Sequence, residues 1–306
     1  MYIYRDKKLF LQSFHPLTII VYAGVLLFLA LACNHPVLLI ALYAVLLINI
    51  KLVDAFAAYK TFVPFLIILL IMIILINPLF NRLGSTVLLT LPDIPVMGRI
   101  AVTLEALLYG FDMGLRLLVV ITIFFLYNQT INPDRAFELF ARLAPRTAML
   151  VALTTRLIPY LAVRLKNIKE VQQTRGVAFD QTGLIQKINS YYPLLKVITL
   201  TSLENALGIA EAIQSRAYGS GPRSHYSGER MQVRDMIILS SSLALLLLGV
   251  ALLVPGWAQY RFYPQLGVLF VSPRQLLTLA CLLITAALPA FLNWGWKYWP
   301  YLRWKL

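Results

Sequence analysis

Six apolar runs punctuate the chain, at 17–33, 37–53, 62–77, 101–127, 236–254 and 275–292. As helices rising about 1.5 Å per residue, each is long enough, or nearly so, to cross roughly 30 Å of hydrocarbon. Only Asn34-His35-Pro36 separates the first two, which leaves room for a tight hairpin between adjacent spans and nothing more. The first run follows Arg5, Lys7 and Lys8 and ends in Ala30-Leu31-Ala32, an imitation of a signal-peptide cleavage site. It exceeds a signal-peptide core and a second span begins at once, so the pattern predicts a retained helix. From Asn77 to Gly98, the turn residues Gly84, Pro92, Asp93 and Pro95 predict an irregular or partly re-entrant loop.

Between the fourth and fifth runs the pattern changes. Residues 128–235 hold fourteen of the 27 Lys and Arg residues together with eight acids, yet two long stretches there stay rich in Leu, Ile, Val and Ala. Ala144 to Val177 scatters Arg146, Arg156, Arg164, Lys166 and Lys169 among apolar residues; Tyr191 to Ala217 does the same with Lys196, Glu204, Glu211 and Arg216. Such charges are costly across hydrocarbon and suit helices lying between membrane and water. The fold class predicted is all-α: a polytopic membrane protein of about five to six transmembrane helices with a cytoplasmic domain of long amphipathic helices. Its divisions are 1–127 with four spans, 128–235 as the amphipathic domain, and 236–306 with one or two spans and an aromatic, basic tail. Pro159 should bend or interrupt the first amphipathic helix, because it lacks a backbone donor and crowds the preceding turn.

Composition and charge then fix class and orientation. With 60% hydrophobic and 13% charged residues, the chain carries more apolar surface than a soluble core of its size can bury. The net charge of +14 sits largely in segments that a single orientation places inside, which accounts for it without nucleic acid. With both termini cytoplasmic, Arg5, Lys7, Lys8, Lys51, Lys60, the 128–235 block, Lys297, Arg303 and Lys305 fall inside. Arg82, Arg99, Arg261 and Arg274 remain outside, as the positive-inside rule requires. Trp294, Trp296, Tyr298, Trp299, Tyr301 and Trp304 form an aromatic tail suited to a headgroup interface. Cys33 and Cys281 lie in different apolar runs and suggest neither a disulfide nor a metal site.

Two tripeptides stand out within the basic block. Thr174-Arg175-Gly176 and Ser215-Arg216-Ala217 each close one of the long amphipathic stretches. Gly176 occupies a helix-stopping position, and Gly219, Gly221 and Pro222 follow Arg216. One arginine at a helix C-terminus is ordinarily a favourable charge for the macrodipole. Two near-identical endings point beyond that, because a guanidinium presents five donors in a rigid fork suited to an acidic or carbonyl-lined groove. Within the fourth span, Glu105, Asp112 and Arg116 are spaced by seven and four, which places them near one helix face. They read either as an internal ion pair that makes the span tolerable or as a polar contact for a neighbouring membrane subunit.

The run Arg156-Leu-Ile-Pro159 followed by Ile168-Lys-Glu-Val-Gln-Gln-Thr-Arg175-Gly176 resembles the first coupling-helix signature of the T component of energy-coupling-factor (ECF) transporters, a branch of the ABC transporters. Ser202-Leu-Glu-Asn-Ala-Leu-Gly-Ile-Ala-Glu-Ala-Ile-Gln-Ser-Arg216-Ala-Tyr-Gly219 resembles the second, and Gly114-Leu-Arg116-Leu and Asn128-Gln-Thr-Ile-Asn-Pro133 match the same pattern. The resemblance covers most of residues 13 to 255. It implies a scaffold in a prokaryotic inner membrane, between two cytoplasmic ABC-type ATPase subunits and a substrate-binding S component for vitamin or cobalt and nickel uptake. It also implies that Arg175 and Arg216 are the coupling arginines, each docking in one ATPase. Ala217 departs from the glycine usual after the second arginine, and 275–292 looks like a span beyond a five-span core.

The chain has no G-x-x-x-x-G-K-[ST] phosphate loop, and Gly219-Ser-Gly-Pro-Arg223 reads as a plain connection. His15, His35 and His225 are scattered, so no metal site and no paired base and nucleophile suggest themselves. The expectation is therefore a non-catalytic subunit with no cofactor. The rivals are a secondary transporter, which needs inverted repeats, and a membrane enzyme, which needs an acid or histidine cluster.

Overall fold

The computed structural model describes residues 10–81, 84–90, 101–133, 135–137, 139, 144–177, 179, 183–221, 231–269 and 273–298. A short 3-10 turn at Phe10–Ser13 leads into α1 (Pro16–Ala32), α2 (Pro36–Leu52), α3 (Phe56–Phe80) and α4 (Leu104–Thr130). Two longer helices follow, α5 (Pro145–Thr174) and α6 (Leu184–Ser215), and then α7 (Val233–Leu253) and α8 (Pro273–Tyr298). All six apolar runs are helices. Five described helical stretches are long and apolar enough to cross a membrane: α3, α4, α7, Pro273–Trp296 of α8, and Thr147–Thr174 of α5. With 17 residues each, α1 and α2 reach the short end of the spanning range. The chain is a multi-pass membrane protein.

It divides into two compact units, one comprising Met1–Ala136 with Glu229–Leu306 and the other Phe137–Gly228. In the first, α4 is central and packs on α1, α2 and α3, while α7 packs on α1 and α8 on both α2 and α7. Each helix turns a stripe at helical spacing inward, such as Leu38, Leu42, Val45 and Asn49 of α2. Glycines set the closest approaches. A Cβ at Gly110 would stand 3.2 Å from the Ile74 backbone, and one at Gly114 2.6 Å from a Leu70 methyl. This G-x-x-x-G face on α4 is what lets α3 approach, since small residues replace the missing hydrophobic drive between helices in lipid. Gly249 of α7 does the same for Leu29 of α1.

Polar groups inside the bundle close on one another. The Thr122 hydroxyl donates to the Leu118 carbonyl at 2.7 Å, which leaves its oxygen free to accept from Tyr59 at 2.9 Å. Tyr59 in turn accepts from Tyr43 at 3.1 Å. The chain of hydroxyls therefore has one direction and ties α2, α3 and α4 together. Tyr22 of α1 donates to the Ala286 carbonyl of α8 at 2.8 Å, one turn before Pro289.

The two ends of the bundle are pinned differently. At the end where α1 begins, Asp235 accepts from the His15 amide at 2.8 Å and from the Gln232 amide at 2.9 Å, capping α7 while anchoring the start of α1. Arg135 and Arg234 donate to the carbonyls of Gln12 and Ser13. At the other end, the Asn34 amide donates to the Ala258 carbonyl at 2.8 Å, and the His35 ring meets the Leu269 carbonyl at 2.8 Å.

Three details differ from the sequence pattern. The expected irregular loop after α3 contains an antiparallel strand pair, β1 (Val87–Thr90) with β2 (Ala101–Thr103), with a register irregularity between Val87 and Leu89. Residues 82–83 and 91–100 lie outside the described set. α5 runs uninterrupted through Pro159, so the proline does not break it. α6 begins seven residues before Tyr191 and passes through Pro193. The aromatic residues beyond Tyr298, with Pro222, Arg223 and His225, also lie outside the described set.

Replacing Gly110 by leucine should force α3 off α4, because the obstructing atom is backbone and cannot swing aside. A loss of about 1–3 kcal/mol is expected from overpacking. Thermal unfolding in detergent should show it as a lower midpoint, while leucine at the exposed Gly208 leaves the midpoint within error.

Candidate functional site

The second unit is built around α5 and α6, which pack on each other. On α5 the apolar positions withdrawn from solvent include Ala148, Leu153, Leu157, Leu161 and Ile168, and on α6 they include Tyr191, Leu194 and Ile198. Phe179, in the connection, sets its ring against Tyr191 at 5.2 Å and carries the Lys169 ammonium 5.5 Å above its face. Outside this seam, large apolar side chains such as Ile158, Val163, Ile185, Ile188 and Leu195 stand well exposed. An exposed apolar surface of this extent marks contact with lipid or with another subunit.

Both arginine tripeptides close their helices in the same way. Arg175 caps α5 at φ −85, ψ 6, and Arg216 caps α6 at φ −83, ψ 10. After Arg175, the Gly176 amide donates to the Gln173 carbonyl at 3.0 Å and the Val177 amide reaches back to Gln172 at 3.1 Å. After Arg216, Ala217 donates to Gln214 at 2.9 Å and Tyr218 to Ile213 at 3.3 Å. This is the double bond pattern of a Schellman end, which satisfies carbonyls the helix would otherwise leave open. Even the residue before each arginine behaves alike: the Thr174 hydroxyl donates to Val171 at 2.7 Å and the Ser215 hydroxyl to Ala212 at 3.0 Å.

The pattern requires a left-handed residue just after the arginine. Gly176 meets it at φ +88 without penalty, and Ala217 meets it at φ +52. An L-residue with a Cβ gives up roughly 1–2 kcal/mol there. The missing glycine at 217 therefore leaves the shape of the second end unchanged and adds strain to it. Both guanidinium groups are exposed and, among the described residues, neither has a hydrogen-bond or ionic partner within the chain.

The intramembrane trio separates into two sites. The Asp112 carboxylate pairs with Arg116 at 3.4 Å, and the same Arg116 Nη2 donates to the Cys33 carbonyl at 3.4 Å and to the Asn34 side chain. Glu105 does not join them. Its Oε1 accepts from the Ser85 amide at 3.2 Å, the Ser85 hydroxyl at 3.0 Å and the Thr86 amide at 3.1 Å, holding the base of the strand pair against α4. Seven-residue spacing put it on the right face; long-range partners decided its use. No cluster of three or more His, Cys, Asp or Glu that could hold a metal occurs among the described residues.

Residues 10–226 match the family described as "Cobalt transport protein". Among curated proteins, the chain is similar to the energy-coupling factor transporter transmembrane protein EcfT of Streptococcus thermophilus, with 28% identity over 51% of this chain and 62% of that one. It is also similar to EcfT of Thermosediminibacter oceani, with 27% identity over 54% and 64%. With EcfT of Staphylococcus aureus it shares 23% identity over 78% and 90% of the two chains. The first two matches span less than two thirds of those relatives' own lengths.

The strain at the second end is directly testable. Ala217→Gly should stabilise the α6 terminus by about 1 kcal/mol, and Gly176→Ala should destabilise the α5 terminus by at least as much. Amide exchange of Tyr218 should slow several-fold in the first variant, and that of Val177 should speed up in the second. Equal exchange in variant and parent would remove the strain argument.

Proposed function

The chain belongs to the cobalt transport protein family, and from that premise we propose that it is the transmembrane T component of an ECF-type importer. In this reading it carries ATP-driven movement from two ABC-type ATPase subunits to a membrane-embedded S component that binds a vitamin or a transition metal. The supporting observation is the duplicated helix end. Two arginines sit on equivalent backbone, both exposed and, among the described residues, both without an internal partner. The cap fixes where each arginine leaves the backbone, and the planar fork suits its guanidinium to carbonyls and carboxylates in a groove. The chain itself is non-catalytic, and hydrolysis belongs to the ATPase subunits.

α5 and α6 lie along the cytoplasmic face in this proposal. Over Thr147–Thr174, α5 is apolar enough to span, but Arg156, Arg164, Lys166 and Lys169 would then face hydrocarbon. Three of these already have polar or aromatic neighbours, Lys166 pairing with Glu170 at 4.0 Å. Arg164 donates to the Tyr160 hydroxyl at 2.8 Å, and Lys169 lies over Phe179. An interfacial helix accommodates all four at far lower cost.

Alanine at Arg175 or Arg216 should impair uptake, and the double variant should abolish it while the bundle stays folded. Truncating a docked, partly desolvated guanidinium costs on the order of 2–5 kcal/mol, enough to weaken assembly tenfold or much more. If the arginines merely complement helix dipoles, the loss is only about 0.3–1 kcal/mol and transport survives. Lysine should rescue poorly, because it keeps the charge and loses the fork. ATPase co-purification and substrate uptake at wild-type level in the double variant would remove both residues from the mechanism.

Orientation has its own check. Ser220 is exposed just beyond the second end. A cysteine there, with Cys33 and Cys281 replaced, should react with a membrane-impermeant thiol reagent only after the cytoplasmic face is opened. Labelling from outside intact cells would invert the topology.

A further inference from the structure

Arg116 and Asp112 form a half-made ion pair. The Nε–H and Nη2 groups of a guanidinium point to the same side and together make a fork that fits both oxygens of a carboxylate. Here Nη2 reaches Asp112 Oδ2 at 3.4 Å, while Arg116 Nε and Asp112 Oδ1 are both buried with no partner. The missing half consists of one donor and one acceptor on the same two side chains, one helical turn apart. What keeps the fork open is the work Nη2 does elsewhere: it also donates to the Cys33 carbonyl and to Asn34 Oδ1, in the turn between α1 and α2.

Asp112 is 1% exposed and Arg116 15%. A buried carboxylate with an open oxygen is costly, and the cost falls when the second bond forms. The α1–α2 turn has other ties, through the Asn34 amide to Ala258 and the His35 ring to Leu269. Both lead to the segment between α7 and α8. Only Arg116 ties the turn to α4 among the hydrogen bonds described at Cys33, Asn34 and His35.

We propose that Arg116 is a two-position latch: in the position seen here it holds the α1–α2 turn on α4, and in the other it releases Cys33 and Asn34 and closes a two-bonded pair with Asp112. Asp112 therefore does more than neutralise a buried arginine. It gives the guanidinium a place to go, so that the turn can leave α4 without stranding a bare charge in the bundle. The latch is a property of α1, α2 and α4 alone and does not depend on what the helix-end arginines bind.

Cys33 provides the readout, since its thiol is fully buried within the turn and the other thiol, Cys281, can be replaced by serine. In the full-length chain in membrane vesicles, a small membrane-permeant thiol reagent should label Cys33 slowly. Asn34→Ala weakens the latched position and should speed labelling about tenfold. Asp112→Asn removes one acceptor of the released position and should slow labelling several-fold below the parent. A purely structural ion pair makes the opposite prediction for Asp112→Asn, because losing the counter-charge loosens the site and exposes Cys33 faster. Faster labelling in Asp112→Asn, or no change in either variant, overturns the proposal. Should Asp112→Asn fail to assemble, the parent chain decides. A local latch exposes Cys33 at a rate that barely depends on added denaturant, whereas exposure that rises steeply with denaturant reports only global unfolding and rejects the latch.

Discussion

Hydrocarbon offers no hydrogen-bond partners, and the architecture of the bundle follows from that one deprivation. Each polar side chain that anchors the bundle's ends reaches a backbone group or a charge on a neighbouring element. Asp235 reaches the amide of His15, His35 the carbonyl of Leu269, and Arg116 the carbonyl of Cys33. These contacts cluster where helices begin and end, because there the backbone itself leaves groups unpaired. Between the ends, hydroxyls pass a single proton direction from Tyr43 to Leu118, and close approach is left to glycine. Apolar packing supplies bulk, while the polar ties choose which helices are neighbours.

The second unit answers the opposite problem. Its helix ends meet water or a partner, so their carbonyls can be closed locally by the chain reversing into a left-handed residue. Among the described residues, the side chain of the arginine at each cap has no partner within the chain. A rigid cap removes backbone ordering from the cost of docking, while the exposed arginine side chain still gives up its own rotamer freedom.

Much of this was legible in the residues. The six apolar runs became six helices, because length and apolarity are enough to specify a span. The arginine tripeptides announced helix ends through Gly176 and through the glycines after Arg216. The strand pair behind Glu105 was not legible, since its bonds link residues about twenty positions apart with no local signature. Nor was the left-handed backbone at Ala217, because alanine carries no sequence signal for positive φ. The start of α6 was missed because Gln186, Lys187, Asn189 and Ser190 dilute the apolar pattern of its first turns. Gly110 and Gly114 did carry a readable signal, the small residues four apart that let α3 close on α4.

The continuity of α5 and α6 through their prolines has a mechanical side. At 30 and 32 residues, these helices run about 45–48 Å from start to capping arginine. Each is one continuous helix with its arginine at one tip. On a rod of that length, a tilt of about 5° at the far end displaces the tip by roughly 4 Å, more than the width of a hydrogen bond. A break in the helix at Pro159 or Pro193 would have absorbed such a tilt midway. Without such a break, a small rotation at one end becomes a translation at the other.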